Sequence, residues 1–249
     1  MKKSIILVLL YLLLQAIAAL VISVAFELGT ASSREVMNLE WPTIIALLVA
    51  DVVMAGFLLQ RGYLSEKQLW NPTSAHFLWW TVIAGISAII VADAISSIAG
   101  FLPDWLEDSF NNIESNWLGI LAIAIVGPIL EEMLFRGAIT TELLKIYNPK
   151  KAIIISATIF GVFHLNPAQI LVAFLLGLLL GWLFYKTRSM IPGIVVHILN
   201  NSCSVFFSQA YPHAENFYDI LGLTPYFIVL ALAVLLLAFS IRQLNKKKG

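Results

Sequence analysis

A short apolar segment of the sequence contains three ionisable residues. The stretch GPILEEMLFRG, residues 127–137, includes Glu131, Glu132 and Arg136. Glu132 and Arg136 are four residues apart, in the order that favours an ion pair on one helix face. Glu131 lies about 100° round the helix from Glu132. One carboxylate is therefore predicted to be held by the arginine, while the other is free for chemistry. Pro128, one turn upstream, lacks a backbone donor and is predicted to kink the helix.

Two histidines and an asparagine also lie within apolar runs. His164 is part of FGVFHL and His197 is part of VVHILNN, and Asn201 follows His197 by four residues on the same helix face. Their predicted depths overlap with that of Glu131 at the helical rise of 1.5 Å per residue. Together these groups indicate hydrolysis, with Glu131 as general base on a water that His164 shares or orients. His197 and Asn201 could then donate hydrogen bonds to the oxyanion of a tetrahedral intermediate.

The same residues also fit a metal site. Glu131, His164 and His197 supply two imidazoles and one carboxylate, a set that holds catalytic zinc and leaves one position open. The residue types leave zinc and a metal-free water as alternatives. Other protease patterns fit worse, because the sequence contains neither HExxH nor G-x-S-x-G. Cys203 is the single cysteine and lies roughly opposite His197 on the helix, so a packing role is predicted for it.

The composition predicts a membrane protein. Of 249 residues, 60% are hydrophobic and 12% charged, whereas a soluble domain carries about 25% charged residues. Several apolar runs are about long enough to cross a hydrocarbon core of roughly 30 Å.

The predicted fold is an all-α, polytopic helical bundle of about eight transmembrane helices, forming one integral membrane domain over residues 1–249 with a catalytic core at 117–208. The predicted spans are about 5–26, 42–60, 77–99, 117–140, 151–165, 168–185, 192–208 and 224–241. The fifth is short for a full crossing, so its turn at Leu165–Pro167 is expected to be sunk within the protein.

The charges are sorted between alternate loops. Thirteen of the fifteen lysines and arginines fall in one set of loops and at the two termini, whereas Arg34 is the single basic residue of the other set. That other set is acidic and contains Glu35, Asp104 and Asp108 among others. The positive-inside rule therefore predicts that both termini are cytoplasmic. No basic patch suggests nucleic-acid binding. Structural roles are favoured for Asp51 and Asp93, which lie inside predicted spans, with a proton or substrate path as the alternative.

Three motifs resemble a known family. EEMLFR (131–136), FGVFH (160–164) and HILNN (197–201) are similar, in order and spacing, to the EExxxR, FxxxH and HxxxN motifs of the CPBP family of intramembrane proteases. That family includes the type II CAAX prenyl endopeptidases and many bacterial bacteriocin-processing or self-immunity proteins. The resemblance covers Leu118 to about Phe207, and the remaining spans match in hydropathy alone.

The resemblance implies a role for each matching residue. Glu131 and His164 would activate the catalytic water, and His197 and Asn201 would form the oxyanion site. Glu132 and Arg136 would support the helix that carries Glu131. The implied substrate is a peptide precursor or protein tail, prenylated in the CAAX branch, at a multi-pass protein of a bacterial cell membrane. Two other functions stay open: a non-catalytic bacteriocin-immunity or scaffold protein, and a proton-coupled transporter that uses Asp51, Asp93 and Glu131.

Overall fold

The computed structural model describes residues 1–30, 40–98 and 100–246 of the chain. Arg34, Glu35, Lys247 and Lys248, which contribute to the charge pattern, lie outside the described residues, as does residue 99 at the end of the third predicted span. The described residues form helices and no strand, which confirms the all-α prediction. The helices are α1 Lys2–Thr30, α2 Glu40–Gln60, α3 Ala75–Ile98, α4 Glu107–Glu114, α5 Trp117–Leu144, α6 Pro149–Phe163, α7 Pro167–Thr187, α8 Ile191–Ala210, α9 Phe217–Leu221 and α10 Leu223–Lys246.

Seven of the described helices are long and apolar enough to cross a membrane. They are α1, α2, α3, α5, α7, α8 and α10. The predicted fifth span corresponds to α6, which has 15 residues. A helix of that length rises about 22 Å, less than a hydrocarbon core of roughly 30 Å. The predicted number of about eight spans thus becomes seven full-length helices and one shorter helix.

Helix α6 packs closely against α7 as a hairpin. A Cβ atom added to Gly177 would lie 3.1 Å from the Cα atom of Ala157, so a larger residue would crowd the two backbones. The turn between the helices is fixed by Asn166, which is fully buried. Its side-chain amide donates to Asp104 Oδ1 at 2.8 Å, and its carbonyl accepts from the backbone N–H of Trp105 at 3.1 Å. The loop before α4 therefore anchors the turn that follows His164.

Helix α5 alternates between α- and π-helical geometry. Its π-helical segments are Ala122–Val126 and Met133–Thr140, and they flank the α-helical segment Gly127–Glu132. The Thr140 hydroxyl donates to the carbonyl of Phe135 at 2.7 Å, a residue five positions earlier. In a π-helix the backbone N–H groups donate to carbonyls five residues earlier, as Gly127 does to Ala122; such segments are rare and occur frequently at functional sites. Glu131, Glu132 and Arg136 therefore lie in the helix that contains these π-helical segments.

Two aspartates, buried Asp51 and half-buried Asp93, connect elements of the bundle. Asp51 of α2 accepts a hydrogen bond of 2.5 Å from the hydroxyl of Tyr11 in α1. Asp93 of α3 accepts the backbone N–H of Phe217 through both carboxylate oxygens at 3.3 Å, at the start of α9. Both contacts join helices, which agrees with the structural roles favoured from the sequence.

Candidate active site

Glu132 and Arg136 form the predicted ion pair. Glu132 is 0% exposed and Arg136 is 1% exposed, with Glu132 Oε1 and Arg136 Nη1 2.8 Å apart. Removing two charges from water costs several kcal/mol per ion, so the pair is held by its own attraction and by further contacts. One of these is the Phe160 ring, whose centroid lies 4.6 Å from Arg136 Cζ. Arg136 therefore compensates the charge of the buried Glu132 carboxylate and holds it in place.

His197 lies between the two glutamates. Its Nδ1 atom is 3.1 Å from Glu132 Oε1, and its Nε2 atom is 3.7 Å from Glu131 Oε2. An ionised carboxylate only accepts hydrogen bonds, so Nδ1 carries a hydrogen and donates it to Glu132. Nε2 is then the ring atom that faces Glu131. Sequence reasoning gave Glu132 a role in supporting its own helix and missed its contact with His197, because residues 65 positions apart share no local spacing.

Glu131 is placed differently from its neighbour. Its side chain is 17% exposed, against 0% for Glu132. The Oε2 atom of Glu131 is buried but makes no hydrogen bond in the structure, since the 3.7 Å separation from His197 is too long for one. A carboxylate oxygen with open lone pairs beside an imidazole can accept a proton from water or hydrogen-bond a substrate.

His164 makes a local contact within its own helix. Its Nδ1 atom lies 2.8 Å from the carbonyl oxygen of Phe160, four residues earlier. A carbonyl only accepts, so Nδ1 carries the hydrogen, and Nε2 of the neutral ring keeps its lone pair. Among the described residues, His164 forms no ion pair with Glu131. The predicted partnership between them therefore stays a prediction.

Phe160 joins the two histidines. Its ring packs edge-on against His164 with centroids 4.9 Å apart, and edge-on against His197 with centroids 5.6 Å apart. The same ring contacts the Arg136 guanidinium and is 1% exposed. Sequence reasoning assigned no role to Phe160, although its place at the head of FGVFH was a usable signal. Its position indicates that it holds both imidazoles at a fixed orientation.

Asn201 contacts the backbone of the helix that carries Glu131. Its Nδ2 atom donates to the carbonyl oxygen of Ile123 at 2.8 Å, and its Oδ1 accepts from Asn200 Nδ2 at 3.1 Å. An amide nitrogen has two hydrogens, so one is used by Ile123 and one is left for a substrate. The structure thus brings Asn201 to α5, while its predicted oxyanion role is not tested.

The zinc alternative depends on three side chains converging. Within the described residues, no three His, Cys, Asp or Glu side chains are grouped closely enough to hold a metal ion. Nδ1 of His197 is directed to Glu132 and Nδ1 of His164 to a carbonyl, which leaves each ring one nitrogen for a ligand. As placed, Glu131, His164 and His197 do not form a ready zinc site, and the metal stays a prediction. Cys203 is a free, half-buried thiol.

Two largely apolar cavities flank α8. One, of about 360 Å³, lies among α3, α7, α8 and α10, and its polar lining residue is Asn200. The other, of about 430 Å³, lies between α5 and α8 and is lined by Trp117, Phe206 and Gln209 among others. Because Asn200 also bonds to Asn201, the first cavity reaches a neighbour of the candidate site.

Comparisons with known proteins indicate a membrane protease. Residues 113–203 match the Rce1-like family, described as type II CAAX prenyl endopeptidase Rce1-like. The chain is 23% identical over 209 residues to YdiL of Bacillus subtilis (strain 168), which is named as a candidate membrane peptidase; the match covers 78% of this chain and 84% of YdiL. It is 30% identical over 101 residues to the membrane-embedded CAAX protease MroQ of Staphylococcus aureus (strain USA300), covering 38% of this chain and 41% of MroQ. No solved structure matches significantly.

The matched segment contains all three motifs, so the resemblance found in the sequence is confirmed. Residues 113–203 are thus similar to the Rce1-like, type II CAAX endopeptidases, and this similarity, together with the two relatives, supports an intramembrane protease. The chain is a multi-pass bacterial membrane protein.

Proposed function

We propose that the protein is an endopeptidase that hydrolyses peptide bonds of a peptide precursor or a CAAX-type protein tail at the membrane. The observation that carries this proposal is the position of His197, with one ring nitrogen on Glu132 and the other facing Glu131. A purely structural histidine would need one buried acceptor. Here a second, partly accessible carboxylate faces the remaining nitrogen.

In the proposed reaction, Glu131 takes a proton from a water molecule as the water oxygen attacks the carbonyl carbon of the peptide bond. His164 accepts a hydrogen bond from the same water through Nε2. The resulting oxyanion receives hydrogen bonds from the second amide hydrogen of Asn201 and from Nε2 of His197 in its protonated form. Glu131 then returns the proton to the amine nitrogen as the C–N bond breaks. Oxyanion donors of this kind contribute about 2.7–4 kcal/mol each in characterised enzymes.

The surroundings support a substrate with an apolar part. Side chains that line the 360 Å³ cavity are apolar except for Asn200, and the cavity lies among helices long enough to span a membrane. Such a space suits an isoprenoid or aliphatic group better than a charged peptide side chain. A prenylated tail and an apolar, unmodified peptide precursor are both compatible with it, so both belong in the test.

The experiment compares Glu131→Gln with wild type in liposomes, using mass spectrometry to follow cleavage of prenylated and unprenylated peptides. We expect cleavage to fall by about 100- to 10,000-fold, the usual contribution of a general base. Glu142→Gln is a matched control, because Glu142 lies in the same helix and its side chain is 19% exposed, close to the 17% of Glu131. This control variant should retain cleavage.

Other outcomes would redirect the assignment. Equal cleavage by Glu131→Gln and wild type would remove Glu131 from catalysis. A wild type that cuts no peptide, while a biological phenotype survives in Glu131→Gln, would favour the immunity or scaffold function. Proton-linked flux without cleavage would favour transport. A chelator arm tests zinc: inhibition that added metal reverses would support it, and unchanged cleavage would support a metal-free water.

A further inference from the structure

A proline, Pro128, lies two residues after the first π-helical segment of α5. The backbone N–H of Gly127 donates to the carbonyl of Ala122, five residues earlier. The next bond in this i to i−5 series would run from residue 128 to the carbonyl of Ile123. Residue 128 is proline, which has no N–H to donate. The carbonyl of Ile123 therefore lacks the donor that continuation of the series would have given it.

A side chain from another helix donates a hydrogen bond to this carbonyl. Asn201 of α8 donates Nδ2–H to the Ile123 oxygen at 2.8 Å. Backbone carbonyls inside a helix are normally paired, so this contact supplies half-buried Ile123 with a donor in place of the N–H that Pro128 lacks. The amide of Asn201 is itself oriented by Asn200, whose Nδ2 donates to its Oδ1 at 3.1 Å.

This contact lies close to both members of the Glu131–His197 pair. Pro128 precedes Glu131 by three residues in α5, and Asn201 follows His197 by four residues in α8, which is about one helical turn in each case. The 3.7 Å separation of Glu131 Oε2 and His197 Nε2 spans the same two helices. A bond one turn away sets the relative height and rotation of α5 and α8 at the reacting groups.

We propose that Pro128 is a positioning residue: it keeps the Ile123 carbonyl open so that Asn201 ties α8 to α5 and holds His197 against Glu131. This inference rests on the proposed protease function. It gives Asn201 a role through its bond to α5, in addition to any hydrogen bond that its second amide hydrogen makes to the substrate.

The experiment is a double-mutant cycle of Pro128→Ala and Asn201→Ala, measured by cleavage kinetics and by thermal unfolding in detergent. Pro128→Ala supplies an N–H that competes for the Ile123 carbonyl, and Asn201→Ala removes the other donor. Each variant should lower kcat by about 10-fold or more with little change in KM, because small misplacements of reacting groups can cost up to about 100-fold. The double variant should be no slower than the slower single variant, since both changes break one bond.

Thermal unfolding separates positioning from simple loss of stability. Asn201→Ala should lower the melting temperature because Ile123 loses its donor, and adding Pro128→Ala should recover part of that loss while kcat stays low. Pro149→Ala, in the first turn of α6, is the control and should leave kcat unchanged. Wild-type kcat in Pro128→Ala, or effects on kcat that multiply in the double variant, would overturn the proposal. Recovery of both kcat and the melting temperature in the double variant would also overturn the proposal.

Failure of this inference is distinguishable from failure of the proposed function. The proposed function fails if the wild type does not cleave, or if Glu131→Gln cleaves normally. The bond between Asn201 and Ile123 is read independently from the melting temperatures, which need no substrate. An unchanged melting temperature in Asn201→Ala would show that this bond does not stabilise the protein, and would overturn the inference even in an active protease.

Discussion

At the scale of single residues, the site depends on the two glutamates having different surroundings. Glu132 is fully buried with Arg136 and contacts His197, whereas the side chain of Glu131 is partly accessible. Adjacent residues on a helix point in directions about 100° apart, which is how one sequence pair gives two environments. The inner carboxylate, Glu132, contacts the imidazole of His197, and the outer one, Glu131, is the proposed general base.

Gly193 gives a residue-scale test of the inner carboxylate. A Cβ atom added at Gly193 of α8 would lie 2.5 Å from Glu132 Oε2, so Gly193→Ala must displace the carboxylate or the helix. We expect cleavage to fall by about 10- to 100-fold, because His197 loses its fixed partner. Kinetics with a peptide substrate provide the measurement.

Gly56→Ala is the matched control for Gly193→Ala. A Cβ atom at Gly56 of α2 would meet nothing within 4 Å. Exchange of glycine for alanine within a helix favours the helix by about 1 kcal/mol, so Gly56→Ala should be active and no less stable than wild type. Full activity in Gly193→Ala would show that the position of Glu132 is unimportant for cleavage.

At the scale of elements, the first two helices are joined to the site through a buried tyrosine. The Tyr11 hydroxyl bonds Asp51, and the Tyr11 ring stacks on Phe163 with centroids 5.5 Å apart. Phe163 in turn packs edge-on against His164, with centroids 5.8 Å apart. Helix α1 thus contacts the hairpin that carries a site histidine, and α2 is joined to it through Asp51, although both helices lie outside the matched segment 113–203.

Tyr11→Phe tests this connection. The variant keeps the ring stacked but leaves the buried carboxylate of Asp51 without its donor, which should destabilise the protein by about 1–3 kcal/mol. Urea unfolding in detergent, followed by fluorescence, measures the change. Tyr211→Phe is the control, because Tyr211 is exposed, and its ring contact with Phe207 needs no hydroxyl. Equal unfolding midpoints for Tyr11→Phe and wild type would contradict the expected role of the bond.

At the scale of the whole molecule, the sorted charges predict an orientation in the membrane. In a Cys203→Ala background, cysteines are introduced at exposed positions, Ser65 after α2 and Asp108 in α4. The positive-inside rule predicts that a membrane-impermeant maleimide labels Asp108→Cys in intact cells, and Ser65→Cys after the membrane is opened. The reverse labelling pattern would show an inverted protein, and the acidic loops would then face the cytoplasm.

The sequence alone determined the class of fold and the ion pair of the candidate site. Apolar runs separated by charged loops specify membrane helices, since a backbone in lipid must satisfy its own hydrogen bonds. The spacing of Glu132 and Arg136 specified their ion pair, which the structure confirms. Local spacing sufficed in these cases because each depends on contacts within one helix.

Only the tertiary structure decided how the motifs meet. The contact of His197 with both glutamates, the ring of Phe160 against two imidazoles, and the bond from Asn201 to Ile123 all join different helices. Such contacts depend on the position of one helix along its axis, and on its rotation, relative to its neighbour. Both are altered by small local changes in helix geometry. The π-helical turns of α5 are one such change, because they shift the side chains that follow them relative to a regular α-helix. A regular helical pattern therefore identifies the residues of this site but does not determine their partners.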